Sequence, residues 1–141
     1  MEELDINAIL KGTNNLPRKI GELTQEIIDI LGIKQNPRDI MMQIERIYHC
    51  EHHKNDFESE ESYFESLRNI PLIIESPEYV GYNESKNGII YVKRIREGTA
   101  IAIKIVNNDA LQFRTMYPLQ EFKINRFVKT KRLIPINKDE D

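Results

Sequence analysis

Three histidines and one cysteine are the whole supply of either residue in the 141-residue chain. All four fall in residues 49–53, as His49, Cys50, His52 and His53. Structural zinc is bound by four Cys or His ligands, usually as two spaced pairs. Here the four are packed into five residues. On a helix only residues three or four apart share a face, so His49 can pair with His52 or His53 while Cys50 points elsewhere. The zinc-protease pattern H-E-x-x-H needs Glu directly after the first His, where this chain has Cys50. The spacing therefore argues against a metal, and the expectation is a chain without a cofactor. A Cys–His nucleophile pair is a spatial arrangement that local proximity does not establish, and a lone helical Cys is commonly a small buried apolar residue. Acid–base work fits better: an ordinary imidazole pKa of about 6.5 lets histidine take and give protons near neutrality. The plainer reading is that these histidines cap a helix end, where imidazolium is favoured by the dipole. The window alone favours that plainer reading.

Downstream segments offer what such histidines would need. YVKRIR carries Lys93 and Arg94, and FRTMY carries Arg114, Thr115 and Tyr117. Alternation on a strand puts Thr115 and Tyr117 on one face, and predicts that Leu111 and Phe113 share it. Cations with Thr and Tyr hydroxyls suit a phosphodiester. Lys123 and Arg126 follow in a basic stretch and, with His52, join the phosphate-binding candidates. The competing reading is a solvated sheet face with cross-strand pairs.

The elements that must position these groups read in two halves. Residues 1–15 read as a loosely ordered arm or a short helix. From Pro17, the apolar stripe Ile20, Leu23, Ile27, Ile28 and Leu31 predicts a helix closed by Gly32. Asn36-Pro37 signals a second helix carrying Ile40, Ile44 and Ile47 toward the histidines, unless its first residues are extended. Ser59 caps a third helix with Tyr63, Phe64, Leu67 and Ile70, running to about Ile74. After Pro77 the period changes. Residues 79–83, 89–96, 99–106 and 110–117 predict a meander of antiparallel strands joined by tight turns. A short helix near Glu121 to Phe127 follows. The expectation is a single α+β domain over residues 16–138, with N-terminal helices packed on one face of a four-stranded antiparallel sheet and a short acidic tail, 139–141.

Charge is divided the same way. Residues 1–85 hold 8 Lys/Arg against 17 Asp/Glu, whereas residues 86–138 hold 12 against 3. The basic half suggests an anionic partner, RNA foremost, unless it simply pairs with the acidic half. The absence of a long apolar run, an acidic start and a single Cys lead to the expectation of a cytoplasmic chain with no membrane partner.

Segment order then makes the chain resemble the phage-type members of the barnase–EndoU–colicin–RelE (BECR) nuclease superfamily. The likeness runs from about Ile20 to Ile136, through IGELTQEIIDILGI, YHCEHHKNDF, FESLRNIPLIIESPEYVGYN, GIIYVKRI, LQFRTMYPL and KINRFVKTKRLIPI. It implies helices followed by a four-stranded antiparallel sheet, as in RelE-like proteins, and metal-free RNA cleavage by a toxin or effector. By that resemblance His49 and His53 match the two histidines of H-x-x-x-H, with His52 an alternative to His53. Lys93 matches a basic residue of the second strand, and Arg114, Thr115 and Tyr117 match an r-T-x-Y strand. Three functions stay open: a metal-independent endoribonuclease using His acid–base chemistry, a non-catalytic phage regulator that binds a host protein, or nucleic-acid binding without cleavage. Protein partners of the antitoxin, immunity or host-target kind fit either of the first two. The acidic stretch Glu51 to Glu65 is an odd neighbour for RNA and a candidate docking surface.

Overall fold

The computed structural model describes residues 3–6, 8, 17–107 and 109–136, so most of the N-terminal arm and the acidic tail lie outside the described residues. The elements are β1 (Arg18–Leu23), α1 (Gln25–Leu31), β2 (Arg38–Met42), α2 (Glu45–Cys50), a 3-10 helix (Glu51–Asp56), α3 (Glu60–Arg68), α4 (Ile70–Glu75), β3 (Tyr79–Asn83), β4 (Gly88–Arg94), β5 (Gly98–Lys104), β6 (Leu111–Pro118), α5 (Glu121–Lys129) and β7 (Ile134–Pro135). The fold is α+β, but the sheet has seven strands in the order β1-β2-β6-β5-β4-β3-β7. It is mixed, because β2 runs parallel to β6 while every other pair is antiparallel.

The expected meander is the centre of this sheet, and what enlarges it is the N-terminal half. The helix read from Pro17 is instead a strand followed by a helix. Ile20 and Leu23 are buried on β1, whose register shifts between Lys19 and Gly21. A bulge of that kind lets residues three apart face the core from a strand. Thr24, not Pro17, opens the helix, its side chain accepting from the Ile27 amide. Gly32 closes α1 in the left-handed conformation, φ 66°. The second predicted helix likewise begins as a strand, with Ile40 fully buried on β2, and turns helical only at Glu45. Ser59 does cap α3, accepting from Ser62 N at 3.0 Å. The predicted third helix breaks at Asn69, and α4 begins at Ile70 with Pro71 in its first turn. Such a position suits a proline, whose missing N–H is an orphan there anyway.

Both faces of the sheet are covered, not one. The larger core joins Ile89, Tyr91, Ile101, Ile103 and Phe113 to α1, α2, α3 and α4 through Ile27, Ile47, Leu67 and Ile73. On the other face α5 lies over the end of the sheet, where Val92, Ala100, Leu119, Ile124 and Leu133 form a second small core. The rest of that face is not covered by α5, and the candidate site lies there.

Candidate active site

The floor of the site is one cross-strand row. Ile90 pairs with Ala102 and Ala102 with Thr115. The small side chain of Ala102 leaves room above the sheet, and a cleft of about 830 Å³ fills it. That volume is within the range of ordinary ligand pockets, roughly 300–1,000 Å³.

Strand β6 is bulged there. Ala102 faces Thr115 and Ile103 faces Phe113, so Arg114 is an extra residue with no partner across the ladder. This corrects the expected alternation. Leu111, Phe113 and Met116 face the large core, whereas Thr115 and Tyr117 share the cleft face and Arg114 is swung out to join them. Re-aiming a side chain in this way is a usual consequence of a bulge.

The second wall comes from α2 and the 3-10 helix. Arg46, His49 and His53 all line the cleft, at the spacing that keeps residues on one helical side. Arg46 ties this wall to the bulge: its guanidinium Nε donates to the Arg114 carbonyl at 2.9 Å, and a second nitrogen donates to the same oxygen. The His53 ring centroid is 6.1 Å from that of Tyr117. His53 Nδ1 lies 3.2 Å from Asp56 Oδ2. A carboxylate only accepts, so this contact puts the proton on Nδ1 and leaves Nε2 for chemistry. The third wall is the β3–β4 turn with β5, which contributes Asn83, Ser85, Lys86 and Lys104.

Cleft electrostatics are one-sided. Among the described residues, four cations, Arg46, Lys86, Lys104 and Arg114, line the cleft and no carboxylate does. None of the four takes part in the ion pairs found among the described residues. Desolvation, then the charges of Arg46, His52, His53 and Arg114, holds the His49 pKa below its ordinary value. Burial raises the Tyr117 phenol, keeping it a hydrogen-bond donor. Burial also pushes the Cys50 thiol up to about 11. Cys50 is thus a protonated core residue at neutral pH and not an activated nucleophile. Among the described residues no three His, Cys, Asp or Glu side chains gather as a metal-holding group, and no helix is long and apolar enough to cross a membrane.

The sequence-derived candidates divide cleanly. His49, His53, Arg114, Thr115 and Tyr117 come together in the cleft. His52 stacks on His49, ring centroids 5.3 Å apart, outside the lining. Lys93 is on the row of β4 that faces the other way. Its Nζ donates to the Ser76 carbonyl at 2.9 Å, beside Pro77 and Tyr79 in a separate groove. Arg94 shares the cleft-side parity but is engaged by Glu121 at 2.7 Å and Glu78 at 3.3 Å. Lys123 and Arg126 stand on the exposed side of α5, Arg126 over the Phe122 ring. Sequence reasoning missed Arg46, Asp56, Lys86 and Lys104. Arg46 was findable, because it precedes His49 by three and His53 by seven. The two lysines carried no such signal, since their place depends on strand pairing.

No curated protein and no solved structure matches the chain. A family model described as phage-Barnase-EndoU-ColicinE5/D-RelE like nuclease3 matches residues 18–126, which span β1 through most of α5 and include every wall of the cleft. The chain belongs to this phage-type BECR nuclease-like family.

Proposed function

We propose that the chain is an endoribonuclease that needs no metal and cleaves RNA by acid–base chemistry between His49 and His53. The observation that supports this is the opening of both imidazoles into one cleft with four cations that enter no ion pair among the described residues. His49, its pKa held down by desolvation and then by the charges around it, takes the proton of a ribose 2′-hydroxyl. The freed oxygen attacks the adjacent phosphorus. His53, as an imidazolium held by Asp56 through its Nδ1–H, gives its Nε2 proton to the departing 5′-oxygen. The products are a 2′,3′-cyclic phosphate and a 5′-hydroxyl. Charge on the pentacoordinate phosphorus is met by Arg46 and Arg114, with Lys86 and Lys104 holding flanking phosphates. Tyr117 donates a hydrogen bond from the floor. General acid and base are worth about 10²–10⁴-fold each, and one oriented charge-stabilising donor about 10²–10³-fold.

The test is end-labelled cellular RNA incubated with pure protein in EDTA. Cyclic-phosphate ends that vanish with His49→Ala and His53→Ala are expected. RNA left intact with and without chelator refutes the reading.

A second reading rests on a different surface. Glu3, Asp5, Glu51, Glu60 and Glu61 line a groove that shares no residue with the cleft. This favours an acidic dock for a basic protein partner, and on its own it would suit a non-catalytic regulator. A stoichiometric partner captured equally well by wild type and His53→Ala, alongside intact RNA, would favour that alternative.

A further inference from the structure

We propose that a second chamber, opening from the cleft, holds an unpaired nucleobase next to the scissile phosphate, which makes the protein selective for single-stranded RNA. This rests on the cleavage reading above and adds where the neighbouring base goes.

The chamber has a volume of about 490 Å³. It shares Asn83, Ser85, Ile90 and Tyr117 with the cleft, so the two are continuous, with Tyr117 belonging to both. Its character differs. The cleft is cationic, whereas the chamber is walled by Leu119, Phe127 and Leu133 and rimmed by Arg132. Phe127 is half-buried, and the Arg132 guanidinium lies 5.7 Å from its ring centroid. An aromatic face, an arginine plane and an apolar floor are the surfaces on which unstacked bases bind. A base still paired in a duplex could not enter, because its faces are covered by its neighbours.

This wall is held in place by the backbone. After α5 the chain turns sharply at Lys131, φ 63°. Both Arg132 N and Leu133 N donate to the Phe127 carbonyl, at 2.8 and 3.1 Å. The segment then crosses β3 at Gly81, where an added Cβ would lie 2.2 Å from the Arg132 carbonyl oxygen. Only glycine permits that approach. Arg132 is exposed and enters no ion pair among the described residues. Its charge is thus available to a ligand. At the rim, Asn83, Glu84 and Ser85 present polar groups to the edge of a base.

The experiment titrates the protein with the four nucleoside 3′-monophosphates and with ribose 3-phosphate, by calorimetry and amide NMR. The best nucleotide is expected to bind roughly 5- to 150-fold more tightly than the sugar phosphate, the worth of one stacked base. Its shifts should centre on Phe127 and Arg132. That ratio should fall toward one in Phe127→Leu, which keeps apolar volume, and in Arg132→Gln, which changes only an exposed side chain. Equal affinity for all five probes, or a ratio unaltered in both variants, overturns the base site. RNA cleavage with a ratio near one would sink the base site and leave the cleavage reading standing. A high ratio with uncut RNA would do the reverse. Shifts at Phe127 and Arg132 produced by a bound protein and by none of the nucleotides would assign the chamber to a polypeptide side chain and refute the nucleobase.

Discussion

Replacing Arg46 by methionine separates two jobs that the structure gives to one side chain. The substitution keeps most of the apolar stem and removes the charge. Arg46 donates to the Arg114 carbonyl at the β6 bulge, and a hydrogen bond from a charged donor contributes about 1.5–3 kcal/mol when well shielded. This one is at the surface, so solvent screening reduces the expected stability loss to about 1 kcal/mol. Loss of a charge-stabilising donor should lower kcat/KM by about 10²-fold, the smaller end of the usual range for such groups. The sharper consequence is in pH. After desolvation, Arg46 is the first-ranked charge holding the His49 pKa down. Removing a neighbouring cation favours the imidazolium, so the His49 pKa rises. A base must be neutral to act, so the acidic limb of the rate profile moves up in pH, from below the ordinary histidine value of about 6.5 towards it. The assay is kcat/KM on a fluorogenic oligoribonucleotide from about pH 5 to about pH 8 at fixed ionic strength, since salt alone alters such coupling. Arg46→Lys keeps the charge and should leave the limb near its wild-type position, though it loses the planar grip on the bulge. A limb that stays put or moves down in Arg46→Met, in protein that remains folded, refutes the assignment of His49 as base.

Asp56→Asn should slow cleavage by about tenfold, less than His53→Ala, because it disturbs the ring's tautomer and leaves the proton carrier present; a loss equal to that of His53→Ala would mean that Asp56 does more than orient. Lys93→Met should leave cleavage within about threefold of wild type while costing about 1 kcal/mol or less in urea unfolding, since its partner is the Ser76 carbonyl away from the cleft; a hundredfold rate loss would return Lys93 to the site. Lys131→Gly should raise stability by about 1 kcal/mol in thermal melts, because a non-glycine residue at φ 63° carries a left-handed penalty of about 1–2 kcal/mol; an unchanged or lower Tm would show that the turn is not strained.

Much of the site was legible, and the reasons are local. Tight turns and β-branched runs marked β3 to β6, because a period of two and turn chemistry need no partner to be recognised. Ser59 and Gly32 marked helix ends through contacts only three or four residues long. β1 escaped because Ile20 and Leu23 are three apart, a spacing shared by a helix and a bulged strand, whereas an extended start was one of two readings open for β2. Their pairing with each other and with β6 is non-local. Of the candidate cations, Arg114 was read as a phosphate-binding residue, but the alternation that governs a regular strand would have turned it away from Thr115.

The sequence by itself determined the ingredients: clustered histidines, a basic C-terminal half and a meander carrying RTMY. Only the tertiary structure decided which cations meet the histidines. A single bulge in β6 reverses side-chain parity and brings Arg114 in, while unbroken parity in β4 turns Lys93 to the opposite face. Register is settled by the neighbouring strand, which lies far off in sequence, and a shift of one residue exchanges the two faces of a sheet.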